Sequence, residues 1–528
     1  MPGSSARSRI LARALVLAIV ALAALLRLEA FVGKYGPLDH PAWARVATHR
    51  VAPLAAHVRP AETAWSRERA PYVGGDPINY LAFAREMQSF YQPHVREPGF
   101  LALTRAALWS LDWQDAGVSL ASAAGSVLAV FATYLLGAAL LSRAAGLLAS
   151  LMLAIEFEAI TWAPDGWRDD TFMATVLLAA WGLLRLHQSP SFQRALLAGA
   201  LCGLACLTRI TALTFILPAF VWLALAAPRP QRAQVLRHVG VALFATTALV
   251  APYLISCAIA TGDPFYALNY HTLYYRHAAG MDTSQPMNAA AYLRSRLASL
   301  PAATIDTGFV GLFVQPFVTK WNGLDHWISG LGTVARYASL AGVAMLPFTP
   351  NGRLLLMILL TSLLPYAFSW NLAGGGEWRF TMHAYPIYLA AGAAAIVGAI
   401  NVVIRSVRQG RQVSRDEVVR NARRVAAIGV VAVTGALLYF SLPWLVVREA
   451  IAAGTSTSIE TGARDRVFYR TGWSPPHLDG LVVRVSTAAR SAIYFPLPAR
   501  PHTTSCCEST RSRPRRVSVP TFSSTDGW

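Results

Sequence analysis

The chain has 528 residues, of which 55% are apolar and only 14% are charged, whereas an average soluble domain carries about 25% charged residues. Its net charge of +19 comes from arginines that separate apolar runs and form no single patch, which argues against nucleic acid as a partner. The composition excludes a disordered chain, argues against an ordinary soluble enzyme and predicts an all-α polytopic membrane protein.

Apolar runs long enough to cross about 30 Å of hydrocarbon recur along the chain and predict a bundle of about eleven transmembrane helices. The first run, at about 10–32, is interpreted as a retained anchor, because it is long for a secretory signal peptide. The polar stretch at 33–115 forms a long first periplasmic loop with amphipathic helices. The later runs lie at 117–141, 144–163, 171–187, 195–227, 238–257, 327–348, 354–371, 382–404 and 425–447.

The run at 195–227 decides the predicted topology. Its 33 residues would form about 50 Å of helix at about 1.5 Å per residue, which is too long for one span. Arg209 also lies inside it and would be costly against lipid. Two short helices that turn near Arg209 place the arginine-rich connections on one side, as the positive-inside rule requires. This arrangement predicts a bacterial inner-membrane protein with a cytoplasmic N-terminus and an extracytoplasmic C-terminus.

The spans divide the chain into three regions. Residues 1–447 form the transmembrane domain. Residues 448–500 form a small periplasmic appendage, and the alternation of apolar and polar residues at 481–497 predicts β structure within it. Residues 501–528 have the composition of a disordered tail.

The predicted topology places several acidic residues on the outer face. Asp76 lies in Gly-Gly-Asp-Pro, which fits a turn or a helix N-cap as well as a catalytic carboxylate. Asp169 and Asp170 follow Arg168 at the start of a span, where carboxylates are also favoured by the helix dipole. Ionisable residues at such positions are candidates for a functional site.

Basic and aromatic residues on the same side complete the candidate set. Arg96 and Glu97 close the first loop, where they could equally form a surface salt bridge. Arg209 fits either the binding of a phosphate or an ion pair with a nearby acid. The remaining candidates are Glu377, Arg379, His383 and Tyr266. These residues could equally anchor the protein at the membrane interface, where residues of these types are common.

Carboxylates and arginines on one face suit a substrate with a lipid tail, a phosphate at the headgroup level and a group to be transferred. A carboxylate can act as general base, and arginines can bind a phosphate through two hydrogen bonds and stabilise it as a leaving group. The oxygens of Asp76, Glu97 and Asp169 would also suit Mg²⁺ or Mn²⁺, although the pattern does not require a cation.

The order of these motifs carries a resemblance. An acid in the first loop is followed by Arg-Glu-Pro at 96–98, Arg-Asp-Asp at 168–170, the stretch from Gly199 to Arg209, Gly-Asp-Pro-Phe-Tyr at 262–266 and Trp-Arg-Phe at 378–380. This order resembles the GT-C superfamily of polyprenyl-phosphate-dependent glycosyltransferases. Within it, the chain is most similar to glycosyltransferase family 39, with the protein O-mannosyltransferases and the aminoarabinose transferase of lipid A, through about residues 10–400.

The resemblance implies roles for individual residues. Asp76 would be the catalytic base, and Asp169 and Asp170 would form the second acidic motif. Arg209 and Arg379 would contact the phosphate. The substrate-binding set as a whole would comprise Arg96, Glu97, Arg168, Arg209, Glu377, Arg379, His383 and Tyr266. The sequence departs from the family in placing about forty extra residues before its first acid.

The implied activity is an inverting transfer of a hexosyl or pentosyl group from a polyprenyl-phosphate donor to a protein, lipid or glycan acceptor on the outer face. Two alternatives stay open from the sequence. One is a transporter or flippase of lipid-linked sugars, for which charged or broken helices near mid-membrane and inverted repeats would be expected. The other is a non-catalytic protein of cell-envelope assembly.

Overall fold

The computed structural model describes residues 3–35, 76–111, 113–278, 281–284, 287–306, 313, 323–368 and 381–409, scattered positions between 434 and 452, and four short strands between 477 and 510. The α-helices are α1 Gly3–Tyr35, α2 Asp76–Glu86, α3 Pro98–Ser110, α4 Ala116–Leu140, α5 Arg143–Ala154, α6 Phe157–Trp162, α7 Arg168–Gln188, α8 Phe192–Thr208, α9 Leu213–Ala226, α10 Arg232–Thr261, α11 Tyr266–Ala278, α12 Ala289–Ser299, α13 Pro301–Ile305, α14 Leu331–Met345, α15 Pro350–Leu363 and α16 Tyr385–Gln409. Short 3-10 turns occur at Ala163–Asp165, Ile210–Ala212, Arg229–Gln231, Gly323–His326, Leu346–Phe348 and Leu364–Phe368.

The protein is a multi-pass, helical membrane protein. Ten of the predicted spans coincide with helices of the described ranges, and the run at 425–447 lies largely outside them. By length and hydropathy, five described helices could cross a membrane, or six if a bent pair counts as one span. The segments 192–208 and 210–226 are shorter apolar helices.

The chain breaks at Arg209, as the sequence predicted. Helix α8 ends at Thr208, and Arg209 adopts an extended conformation with φ −158° and ψ 114°. A 3-10 turn at Ile210–Ala212 then leads into α9. The long apolar run is therefore two helices, and the guanidinium lies at the junction between them.

The predicted single span at 144–163 is instead a bent pair, α5 and the short helix that follows it, with an angle of 58° between them. The chain leaves α5 at Ile155, and Glu156 begins the next helix by accepting a hydrogen bond from the Ala159 N–H at 2.6 Å. A side-chain cap of this kind stabilises a new helix start. The apolar pattern alone did not reveal this break, because Glu156 and Glu158 are two acids within a run that is otherwise long and apolar enough for one span.

Helix α4 is central to the packing. It contacts α1, α3, α5, α7 and α16, while α7 packs on α8, and α8 on α10. Small residues allow the closest approaches, as is usual between membrane helices. A Cβ on Gly125 of α4 would lie 2.8 Å from the Thr171 Cα of α7, and one on Gly99 of α3 would lie 2.8 Å from the Leu207 carbonyl oxygen of α8. These approaches bring the beginnings of α3 and α7 to the end of α8.

Four short strands lie in the C-terminal region. His477–Asp479 (β1) pairs antiparallel with Leu481–Val483 (β2), and Arg490–Ile493 (β3) pairs antiparallel with Cys507–Thr510 (β4). Strands β1–β3 lie within the predicted appendage 448–500 and β4 lies within 501–528, and the division of the chain into these regions stays a prediction. Backbone pairing with β3 supplies hydrogen bonds that composition does not reveal.

Candidate functional site

Glu97 joins three segments at one end of the bundle. It precedes α3, whose first residue is Pro98, and its side chain does not cap that helix. Its Oε2 instead accepts a hydrogen bond from Arg168 Nη1 at 2.5 Å, and its Oε1 accepts one from the Ile210 N–H at 2.8 Å. Because Glu97 and Arg168 are both buried, Glu97 forms an interior ion pair with Arg168, whereas the sequence suggested a surface salt bridge between Arg96 and Glu97.

Arg209 forms the second centre of the site. Its Nη1 lies 2.8 Å from Asp169 Oδ1 and donates to the Tyr366 hydroxyl at 2.9 Å. The guanidinium also lies over the rings of Phe172 and Tyr366, at 5.5 and 5.3 Å from their centroids. The sequence-derived possibility of an ion pair for Arg209 is confirmed, with Asp169 as the partner.

Asp76 lies at the edge of this cluster. It begins α2, and its Oδ1 is 3.9 Å from Arg96 Nη2, which is a long ion pair. Its side chain is 34% exposed, against 2% for Glu97 and 4% for Asp169. Among these three carboxylates, Asp76 is the most exposed.

Two arginines share neighbours beside Asp76. His271 Nε2 of α11 lies 3.0 Å from Arg96 Nη1 and 3.5 Å from Arg168 Nη2. Both guanidinium groups also lie within 6 Å of the Tyr80 ring, at 5.8 and 5.9 Å, close enough for a cation–π interaction. Burial raises the pKa of Tyr80, so it is a neutral phenol at ordinary pH. Two largely buried guanidinium groups therefore lie beside the more exposed carboxylate of Asp76.

Asp169 and Asp170 contact different neighbours, although the sequence grouped them. Asp170 is fully buried, and its Oδ2 accepts a hydrogen bond from the Ser122 hydroxyl of α4 at 3.0 Å. Successive residues of a helix point about 100° apart, so one carboxylate meets the arginine cluster and the other enters the bundle. The predicted catalytic role of both acids stays a prediction.

The other predicted residues lie at different distances from the cluster. His383 is buried, contacts the Ser362 hydroxyl at 3.1 Å and packs on Phe172 and Tyr366, which are also neighbours of Arg209. Tyr266 begins α11 and faces the Tyr270 ring at 6.1 Å. Glu377 and Arg379 lie outside the described residues.

Several site residues were missed by the sequence reasoning. Tyr80 lies four residues after Asp76 and so on the same face of α2, a spacing that could have identified it. His271 was hidden within a tyrosine-rich stretch that resembled an interfacial belt. Tyr366 carried no local signal, because it reaches Arg209 only through the packing of a distant helix.

A cation site receives limited support from the donor groups. Within the described part of the chain, no three His, Cys, Asp or Glu side chains converge as metal ligands would. Both oxygens of Glu97 and one of Asp169 accept hydrogen bonds from protein donors. The predicted Mg²⁺ or Mn²⁺ site of Asp76, Glu97 and Asp169 therefore stays a prediction.

The fold and the site together define a class, that of polytopic membrane proteins with a carboxylate and arginine cluster at one end of the bundle. Residues 99–255 match the family model described as dolichyl-phosphate-mannose-protein mannosyltransferase. This match includes the Arg-Asp-Asp motif and Arg209, and the resemblance to GT-C glycosyltransferases predicted from the sequence is confirmed.

Solved structures of similar architecture come from two kinds of protein. The archaeal oligosaccharyltransferase AglB from Archaeoglobus fulgidus, in complex with an inhibitory peptide and a dolichol-phosphate, is 14% identical over 84% of this chain, with a TM-score of 0.44. This chain covers 56% of that protein's length. ArnT from Cupriavidus metallidurans, bound to undecaprenyl phosphate, is 12% identical over 74% of this chain and 67% of its own, with a TM-score of 0.44. No curated protein sequence matches the chain.

Proposed function

We propose that this protein is an integral membrane glycosyltransferase of the bacterial inner membrane. It moves a sugar from a polyprenyl-phosphate donor to an acceptor on the extracytoplasmic face, where the Asp76 end of the bundle lies. The N-terminus is cytoplasmic in this proposal. The family match at residues 99–255 supports the reaction class, and the arginine-rich connections support the orientation.

The proposal depends most on one observation, the different accessibility of the carboxylates. Glu97 and Asp169 are buried in short ion pairs with Arg168 and Arg209, whereas Asp76 keeps a third of its side chain exposed beside Arg96. Buried, paired carboxylates have little freedom to exchange protons with a substrate. Asp76 therefore has the access that a general base requires.

In the proposed reaction, Asp76 accepts the proton of the acceptor hydroxyl as that oxygen attacks the anomeric carbon of the sugar. The bond between this carbon and the phosphate oxygen breaks, and polyprenyl phosphate leaves with the electron pair. Arg96 and Arg168 stabilise the negative charge that develops on the leaving group. Attack from the side opposite to the phosphate inverts the anomeric configuration.

The test is an Asp76→Asn variant, purified and supplied with a radiolabelled polyprenyl-phosphate sugar and a membrane extract as source of acceptor. Loss of a general base lowers kcat by roughly 10²–10⁴-fold. The matched control is Asp165→Asn, because Asp165 is 41% exposed and pairs with Lys34 at 2.8 Å, outside the cluster. Undiminished transfer by folded Asp76→Asn refutes its role as base, and absence of transfer by the wild type refutes the proposed function.

A transporter of lipid-linked sugars is the second candidate, and two observations favour it. The pair α5 and α6 forms a broken helix, and α1 carries a buried arginine, Arg27, inside a candidate span. Both features are common in transporters. Movement of a labelled lipid-linked sugar across sealed vesicles without a covalent product would select this function over the transferase.

A further inference from the structure

A charged residue lies inside the first apolar helix, which the sequence suggested was a simple anchor. Arg27 belongs to the candidate span Ile10–Tyr35, and it is 1% exposed. A guanidinium in this position is costly unless its hydrogen bonds are satisfied and an opposite charge is near. The contacts of Arg27 therefore indicate what it is retained for.

Arg27 binds the end of α5 and the side of α4. Its Nη1 donates to the Ala154 carbonyl at 3.1 Å and its Nη2 to the Leu153 carbonyl at 3.3 Å. These are the last residues of α5, whose carbonyls have no partner within their own helix. Its Nε donates to the Ser126 hydroxyl at 2.8 Å.

Ser126 belongs to a pair of serines on α4 that connects Arg27 with Asp170. On α4, Ser126 follows Ser122 by one helical turn, and Ser122 donates to Asp170 at 3.0 Å. The Asp170 carboxylate interacts with both serines of this pair, and Ser126 in turn accepts a hydrogen bond from Arg27. The close approach of α4 and α7 at Gly125, between the two serines, keeps these groups in reach.

We infer that Arg27 is a positioning residue that acts through Ser126 and Asp170 on the first turn of α7. This turn also carries Arg168 and Asp169 of the candidate site. Arg168 and Asp169 of this turn pair with Glu97 and Arg209, and Asp170 holds the other side of the turn against Ser122 of α4. Asp170, anchored in the bundle, fixes the direction in which Arg168 and Asp169 point. The catalytic consequence rests on the proposed function.

A second acid near Arg27 defines the competing role. The Glu156 carboxylate also interacts with the charge of Arg27 and lies at the break between α5 and α6. If Arg27 served only this break, its loss would be compensated by neutralising Glu156. If it acts on α7, neutralising Asp170 is what compensates. The two roles therefore predict opposite patterns of rescue.

The experiment compares Arg27→Met, Asp170→Asn, Arg27→Met/Asp170→Asn and Arg27→Met/Glu156→Gln, with kcat, KM and the unfolding midpoint measured for each in detergent. Arg27→Met lowers kcat by about 10²-fold, as expected for a displaced site residue, with a smaller change in KM. Asp170→Asn restores part of the midpoint in the double variant, because the amide oxygen keeps the hydrogen bond from Ser122 and needs no opposite charge nearby. Lys34→Gln on the same helix is the control.

A milder variant covers the case in which Arg27→Met does not fold. Ser126→Ala removes the hydroxyl between Arg27 and Asp170 and leaves both residues in place. We expect kcat to fall, and the midpoint to fall less than in Arg27→Met, because one hydrogen bond is lost but no charged group is removed. Additive effects of Arg27→Met and Asp170→Asn, rescue by Glu156→Gln alone, or an unchanged kcat in Ser126→Ala would each overturn the inference. If the wild type transfers no sugar, the proposed function fails, while rescue of the midpoint still tests the coupling of Arg27 to Asp170.

Discussion

Replacing Glu97 by alanine should destabilise the protein more than any exposed ion-pair variant. Glu97 and Arg168 are 2% and 3% exposed and lie 2.5 Å apart. Removing one partner of such a buried pair costs about 3–5 kcal/mol, because the remaining charge has no compensation. The Ile210 N–H loses its acceptor as well, and an unsatisfied buried donor costs about 1–3 kcal/mol.

A less disruptive variant separates these two costs. In Glu97→Gln, the amide oxygen can still accept the hydrogen bond from the Ile210 N–H. This variant therefore loses only the negative charge opposite Arg168. We therefore expect Glu97→Gln to lie between the wild type and Glu97→Ala in the free energy of unfolding. Arg168→Met should be less harmful in the Glu97→Ala background than in the wild type, since the two residues form one interaction.

Denaturant unfolding in detergent, followed by tryptophan fluorescence, measures these differences. Lys34→Ala is the control, because its ion pair with Asp165 is partly exposed and such pairs contribute about 0–1 kcal/mol. A loss in Glu97→Ala no larger than in Lys34→Ala would refute the reasoning. Strictly additive effects of Glu97→Ala and Arg168→Met would refute the pairing itself.

Two further predictions concern pH and metal ions. Burial, with a contribution from Arg96, lowers the pKa of His94 from its usual 6.5. The unfolded chain therefore binds more protons than the folded protein at low pH. Stability should fall as the pH drops below about 6.5. His94→Gln should make the free energy of unfolding less dependent on pH. Unfolding at pH 5 and at pH 8 measures this dependence, and an unchanged difference between the two values would contradict the prediction. Both oxygens of Glu97 and one of Asp169 accept hydrogen bonds from protein donors, so sugar transfer should persist in EDTA. Loss of transfer in EDTA that Mg²⁺ or Mn²⁺ restores would contradict this and support the cation site of Asp76, Glu97 and Asp169.

Residue spacing and charge were enough to predict the parts of the fold that depend on local pattern. The lengths of the apolar runs identified the helices, and the charge of Arg209 within a run of excessive length identified the break at that position. The bent pair at 144–163 was missed, because its break depends on a cap at Glu156 and on Arg27, which belongs to another helix. Long-range contacts of this kind leave no local periodicity.

The candidate site likewise has features that follow from local sequence patterns and features that depend on packing. The positions of Asp76 and Asp169 at helix starts followed from turn, capping and dipole patterns, whereas Glu97 was expected to close a loop and instead precedes α3. Which of these carboxylates is accessible did not follow from such patterns, because it depends on which arginine each carboxylate meets. The separation of Asp169 from Asp170 is a matter of helix rotation relative to α4, and that rotation is set by packing.

The contacts of Arg209 also fix an order of events during synthesis. Asp169 precedes Arg209 by 40 residues, whereas the Tyr366 hydroxyl follows it by 157. At about 5–20 residues per second, roughly 8–30 s separate the emergence of Arg209 from that of Tyr366. During this interval the guanidinium has Asp169 and the Phe172 ring as partners but lacks the Tyr366 hydroxyl. A ribosome-bound chain halted between Arg209 and Tyr366 should therefore already form the ion pair with Asp169 but not the complete cluster.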